Sequence, residues 1–253
     1  MARTKEFDPD AVLQKALELF WERGYEATSM ADLVAHLGIS RASLYDTFGS
    51  KHDLYVQALD RYVQSRDPGL VEILSQPGPV LPAVRALVDA YAAESLDGRS
   101  RGCMVVNAAV ELMPRDPQAA RRVEASWDTL ETALTSALTR ARAQGEIPAD
   151  KDPRALARFL LVMLQGMRVL GRAHPEPGRV RDAAAQALSL LGWRTFHHDG
   201  RQFCAPSYRN DRSRYTNPQS TVRGPRHRTS HLHRRHHARD GGAARHRAGN
   251  GAG

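Results

Sequence analysis

The stretch TSMADLVAHLGISRASLYDTFGSK, from Thr28 to Lys51, decides the fold. Ser29 and Asp32 form an S-x-x-D start signal, in which a hydroxyl and a carboxylate satisfy the first free N–H groups of a helix. Leu33, Val34 and Leu37 give that helix an apolar face. Gly38 ends it, since the chain must turn through a left-handed conformation that glycine reaches without a steric penalty. Ile39 plugs the corner, and Ser40 caps a second short helix from Arg41 to Phe48. Within it Leu44 and Phe48 are four apart and face inward, leaving Arg41, Ser43, Tyr45 and Thr47 on or near the outer face.

Two short helices around a glycine turn, the second carrying donors, acceptors and one aromatic on its outer face, form a helix-turn-helix suited to the DNA major groove. The longer run GYEATSMADLVAHLGISRASLYDTFGSK, residues 24 to 51, resembles the signature of the TetR family of bacterial repressors: a Gly-Tyr pair, a Thr-Ser helix start, G-I-S, L-Y-x-x-F and a closing S-K. The resemblance spans about residues 8 to 60; Val34 departs from it, standing where the family usually has alanine. It implies an all-α protein with an N-terminal DNA-binding domain and a C-terminal helical domain for effector binding and dimerisation. Residues 1–66, 67–195 and 196–253 are the expected divisions.

On this reading Arg41 and Lys51 neutralise phosphates, Arg41 having a guanine edge as a second option. Ser43 and Thr47 bond to bases or phosphate. Tyr45 meets a phosphate or a thymine methyl. Thr28 and Ser29 sit where hydroxyls and N–H groups can meet a phosphate. The family pattern supports Ser43, Tyr45 and Lys51 most directly, and Thr47 occupies a position that contacts DNA in several relatives. Asp46 is unusual so near a groove and reads as solvated or cap-like.

Before this stretch, Asp8-Pro9 opens a helix whose Val12, Leu13, Ala16, Leu17 and Phe20 recur at helical spacing, and Gly24 closes it. Arg3 and Lys5 lie in a short arm that is either solvated or a minor-groove contact. After it, a fourth helix is predicted from Lys51 to about Arg66, ended by Asp67-Pro68-Gly69, with a second break at Gln76-Pro77-Gly78-Pro79. Helices follow over 79–96, 103–113, 117–144, 152–173 and 178–193, with no competing strand alternation. The segment RGCMVVNAAVEL, Arg101 to Leu112, is similar to a Gly-Cys-apolar-Asn segment in an AcrR-like subset of the family.

The helices at 152–173 and 178–193 are apolar around too much of their circumference for a helix with one buried face. They are either core or a dimer interface. The dimer is favoured, because the family resemblance implies it and because one short helix reads few base pairs whereas two heads on a twofold axis read a palindrome. The longest apolar run, Phe159 to Leu170, is broken by Gln165 and Arg168 and is too short to span a bilayer. With a polar N-terminus and no such span, the chain reads as cytoplasmic.

The net charge of +8 is unevenly placed. Residues 1–195 hold 24 Lys/Arg against 25 Asp/Glu, and residues 196–253 hold 12 Arg against 3 Asp with eight of the eleven histidines. DNA affinity in the front domain therefore rests on a few placed cations. The tail is expected to be disordered. Nonspecific nucleic-acid contact by its arginines, adventitious metal binding by its histidines, and translation out of frame are the readings left open for it.

No G-x-S-x-G, P-loop or H-E-x-x-H occurs, so an enzyme is not expected, nor a cofactor. Cys103 and Cys204 form no C-x-x-C pair and imply neither a structural metal nor a disulfide framework. Proteins resembling this architecture are controlled by a small ligand in the helical domain; Cys103, Met104, Met113, Trp127, Phe159 and Met163 are the candidate pocket residues. Cys103 follows Arg99, Arg101 and Gly102 at a helix start, where thiols become reactive towards oxidants or electrophiles; its other reading is a small buried hydrophobe. The expected function is a homodimeric operator-binding repressor released by a ligand or a thiol modification. The alternatives are a DNA-binding dimer without an effector, or nucleic-acid or metal binding through the tail.

Overall fold

A computed structural model describes residues 7–97, 101–173 and 176–192. The arm with Arg3 and Lys5, Arg99, Trp193, Cys204 and the Arg/His tail lie outside the described residues.

The described residues form an all-α fold. Helices α1 (Pro9–Arg23), α2 (Met30–Leu37) and α3 (Arg41–Phe48) make the head. The long α4 (Lys51–Ser75) leads to α5 (Leu81–Leu96), α6 (Met104–Glu111), α7 (Pro117–Ala143), α8 (Pro153–Arg172) and α9 (Pro177–Leu190). The starts follow the local chemistry. Asp8, Asp116 and Asp152 each accept a hydrogen bond from the first turn, each followed by a proline that had no N–H to satisfy. Ser29 with Asp32, and Ser50 with Asp53, form complete capping boxes. Helix α5 has no such residue. Its first N–H groups, those of Val80 and Leu81, donate to the Glu146 carboxylate 2.8–3.0 Å away.

The prediction that α4 stops at Arg66 is corrected: it runs through Asp67-Pro68-Gly69 to Ser75, and the expected division at 66/67 falls inside it. An internal proline costs about 3 kcal/mol, because it removes one N–H and crowds the preceding turn. Beyond it Leu74 is buried, contributing about 1.5–3 kcal/mol, and the partly buried Leu70 packs on the same core and contributes less. Arg140 Nη2 also donates to the carbonyls of Leu74 and Gln76, at 3.0 and 3.2 Å, closing the helix end. Tertiary packing therefore outweighs the local break.

Two apolar cores result. One holds α1 to α4 together with α6 and the start of α7, with Phe20, Leu33, Leu44, Tyr55, Met104 and Val123 inside. The other joins the end of α4 to α5, α7, α8 and α9 around Val84, Leu134, Leu138, Leu160 and Leu164. Helices α5 and α8 meet backbone to backbone at Gly171, where a Cβ would come within 2.8 Å of Ser95 Cα. No described helix is long and apolar enough to cross a membrane.

Candidate functional site

The reading head is built from buried anchors and an exposed rim. Leu33 and Leu37 of α2 and Leu44 and Phe48 of α3 are buried. Gly38 turns between them at φ +70°, and its N–H donates to the Val34 carbonyl. The two helices are thus held at a fixed angle, and α3 turns Arg41, Tyr45 and Asp46 outward, with Ser43 and Thr47 half-buried beside them. Arg41 and Tyr45, one turn apart, interact: Nη2 lies 3.3 Å from the phenol oxygen and the guanidinium 5.6 Å from the ring centre. Ser40 accepts from the Ser43 N–H and its hydroxyl lies 2.9 Å from that of Ser43. Gln57 of α4 donates to the Phe48 carbonyl, tying the end of α3 to α4. At the start of α4 the Lys51 ammonium lies 4.2 Å from the centre of the Tyr25 ring, so the cation is fixed beside the head. Arg41, Ser43, Tyr45, Thr47 and Lys51 are therefore accessible on α3 and the adjoining turn, as their spacing predicts.

Thr28 differs. It is fully buried, its hydroxyl donates to the Gly24 carbonyl at 2.7 Å, and its N–H donates to the Tyr25 carbonyl. The expectation that its hydroxyl meets phosphate is corrected: it closes the turn after α1. Ser29 is exposed, but its hydroxyl is engaged with Asp32 in both directions, at 2.5 and 3.1 Å. The Ser29 hydroxyl and N–H, both donating to the Asp32 carboxylate, lower that carboxyl below its ordinary range.

The head is fastened to α6 and α7 by contacts that sequence spacing does not reveal. Glu111 at the end of α6 accepts from the N–H groups of Tyr25 and Glu26, at 3.0 and 2.7 Å. Trp21 Nε1 donates to the Gly102 carbonyl at 2.8 Å. His52 Nε2 lies 2.5 Å from Asp116 Oδ2, and Arg122 holds Asp60 through two bonds of 2.7 and 3.0 Å.

The six candidate pocket residues do not gather in one place. Met104 is core, and Met113 packs against the same core. Phe159 is exposed on α8, and Met163 lines an apolar groove between α8 and α9. Phe159, Val162, Met163, Gly166, Val169 and Leu170 form one stripe at helical spacing; Phe159, Val162, Val169 and Leu170 are exposed. Trp127 lines a separate, largely enclosed cavity of 20 Å³ with Tyr62, Arg66, Asp67, Tyr91, Gln165 and Arg168. Cys103 is buried, and its Sγ accepts from Arg168 Nη1 at 3.2 Å. Arg168 also pairs with Glu94 at 3.4 Å and lies 4.0 Å over the Tyr91 ring. Burial pushes Tyr91 up to about 12, Tyr62 higher still, and raises Asp67.

A helix-turn-helix projecting a hydroxyl-bearing helix from a closed core, with Arg41 at its start and Lys51 just beyond its end, joined to a larger helical domain, fits a DNA-binding transcriptional regulator. Residues 12–58 match the model of bacterial regulatory proteins of the tetR family, and residues 80–188 match the tetracyclin repressor-like C-terminal domain. The chain is 39% identical over 193 residues to the uncharacterized HTH-type transcriptional regulator YezE of Bacillus subtilis (strain 168), covering 76% of this chain and 100% of that protein. It is 34% identical over 193 residues to the HTH-type transcriptional repressor ComR of Escherichia coli (strain K12), covering 74% and 90%. A structure of a cysteine mutant of the TetR family regulator CifR complexed with 26-bp double-strand operator DNA superposes with a TM-score of 0.66 at 29% identity, covering 75% of this chain and 100% of that one. The chain belongs to the TetR family of transcriptional regulators.

Proposed function

We propose that the chain is a homodimeric repressor whose two α3 helices read a palindromic operator, and that a small ligand in the helical domain or modification of the Cys103 thiol releases it. Residues 1–66 read DNA and residues 67–195 carry the effector site and dimer contact. The observation that carries the reading is the α3 rim, where Arg41 and Tyr45 stand outward, with the half-buried Ser43 and Thr47 beside them, on a helix locked by Leu44 and Phe48. Arg41 and Lys51 serve phosphates, and the hydroxyls serve bases or phosphate. The α8 stripe supports dimerisation. It leaves Val162 72% exposed on an apolar face, and nothing among the described residues covers it. At Gly166 a Cβ would meet no atom within 4 Å, so a partner helix can approach closely there.

Selection from a random DNA pool with the full chain, with and without residues 196–253, tests this. Both forms are expected to enrich one palindrome. Arg41→Ala lowers operator affinity about tenfold and makes the salt slope shallower by about one. Enrichment without sequence preference, present only with the tail, defeats the reading. For the thiol route, Cys103→Ser must abolish oxidant or electrophile release; an unchanged response removes it.

A further inference from the structure

The cations of the head are held in two ways. Arg23 pairs with Asp32 at 3.4 Å, and Arg61 pairs with Asp10. Arg41 and Lys51, the two to which the reading above gives phosphates, rest instead on tyrosine rings. Arg41 lies 5.6 Å from the centre of the Tyr45 ring and Lys51 lies 4.2 Å from the centre of the Tyr25 ring. The difference bears on DNA. A carboxylate partner cancels the charge that a phosphate would meet, whereas a ring face attracts an ammonium through its quadrupole and leaves the net charge whole.

Acids stand near enough to have taken Lys51. The Tyr25 phenol is raised first by burial and then by the carboxylates of Glu26, Asp116 and Asp53, which places three acids about the ring. Two of them are engaged elsewhere. Asp53 accepts from the Ser50 N–H and hydroxyl at 2.9 and 2.7 Å, and Asp116 accepts from the Gln118 and Ala119 N–H groups and meets His52. Glu111, a fourth, turns both oxygens to the N–H groups of Tyr25 and Glu26. Among the described residues Lys51 is in no ion pair. The ring itself is fixed: Tyr55 stands edge-on to it at 5.1 Å and Phe20 stacks on it at 6.3 Å. A long lysine side chain loses rotamer freedom when a phosphate orders it, and a seat that orders it beforehand lowers that cost.

We infer that Tyr25 is a positioning residue for DNA binding: its ring seats the Lys51 ammonium, with its charge unpaired, for a backbone phosphate. The inference rests on the phosphate reading of Lys51 above. It gives Tyr25 a part in affinity and none in sequence preference, since a phosphate carries no base identity. The phenol hydroxyl is not required, because the attraction comes from the ring face.

The test is DNA affinity of the full chain across a salt series, on the enriched palindrome and on a random-sequence duplex. Lys51→Ala should weaken both duplexes about tenfold and make the salt slope shallower by about one. Tyr25→Phe, which keeps a ring face, should bind within about twofold of the wild type. Tyr25→Leu should weaken both duplexes about threefold to fivefold. So should a trifluorinated phenylalanine at the same position, which keeps the shape of the ring and loses its negative face; it carries the test if the leucine variant does not fold. In the Lys51→Ala background neither change should matter. Equal loss with and without Lys51 overturns the inference, because Tyr25 then only supports the head; so does full affinity with the fluorinated ring. If Lys51→Ala moves neither affinity nor slope, the phosphate reading falls and the inference with it. If Lys51→Ala weakens binding and the ring variants do not, the inference alone falls.

Discussion

Two polar clusters sit along the same helices and differ in one respect. Where α6 meets the head, the Glu111 carboxylate uses both oxygens on the Tyr25 and Glu26 N–H groups, and His52 closes on Asp116. Beside the cavity, five buried polar atoms go without a partner among the described residues: Tyr62 Oη, Tyr91 Oη, Trp127 Nε1, Gln165 Oε1 and Arg168 Nε. The first cluster is finished by the chain itself and fixes the head; the second is unfinished. A fully satisfied network rigidifies, while a partly satisfied one carries a cost that a bound molecule can remove. The contrast can be broken by experiment.

The largest expected effect is in the finished cluster. Glu111→Ala strips the acceptor from two backbone N–H groups and should cost about 2–4 kcal/mol in urea unfolding, less than two buried hydrogen bonds to a charged group because the Glu26 bond is exposed. Operator affinity should fall with it, because the turn before α2 loses its anchor. A loss under about 0.5 kcal/mol would mean the head holds itself without α6. Next, Thr28→Val removes a buried paired hydroxyl and should cost about 1 kcal/mol, with any loss of operator affinity tracking stability, not salt.

The unfinished cluster should respond with the opposite sign. Tyr91→Phe deletes an unpaired buried hydroxyl and should leave the unliganded protein as stable or about 0.5–1 kcal/mol more stable, read as a raised Tm. A clear loss of stability would show that the hydroxyl already has a partner. The smallest effect is in pH. Burial raises the Asp116 carboxyl, but bonds from His52 and the N–H groups of Ala119 and Gln118 outweigh it and leave it lowered. Its stabilisation is therefore present above the ordinary carboxyl value of about 3.9 and lost as pH falls through the lower folded value. Asp67 is raised by burial, so its contribution is present below about 3.9 and lost as pH rises through its folded value. Asp67→Asn should accordingly raise stability at neutral pH relative to pH 4, whereas Asp116→Asn should lower it.

The head was legible because its determinants are local. Capping serines, a turn glycine and residues four apart all act within a few positions, and Leu44, Phe48, Ser29 and Gly38 do what their spacing predicts. Thr28 was misplaced because its hydroxyl follows the turn after α1, which spacing alone does not orient. The cavity was not legible, because its walls come from α4, α5, α7 and α8, whose mutual packing is set by nonlocal burial. One signal was present: Gln165 and Arg168 interrupt the most apolar run of the chain, and both line the cavity. A cation inside an apolar helix needs buried partners, and Glu94, Cys103 and Tyr91 supply them. The apolar candidates Met104, Phe159 and Met163 were sought by hydrophobicity, which marks core and surface stripe as readily as a pocket. The end of α4 was missed for a related reason: Pro68 is a local break, and Leu74 and Arg140 act from a distance.

That uninterrupted α4 has a mechanical consequence. Its 25 residues make a rod about 37 Å long, with Lys51 at one tip and Tyr62, Arg66 and Asp67 along its middle. A tilt of about 5° around its centre displaces each tip by about 1.6 Å, on the geometry of a straight helix. Pro68 leaves the Gln64 carbonyl without its helical N–H and so makes the most compliant joint of the rod. The joint spans the turn from Gln64 to Pro68, so as seen from the head Tyr62 lies before it and Arg66 and Asp67 lie within it. A push on Tyr62 is therefore applied to the stiff arm that ends at Lys51, whereas Arg66 and Asp67 sit in the joint itself, from which the helix runs on to Ser75.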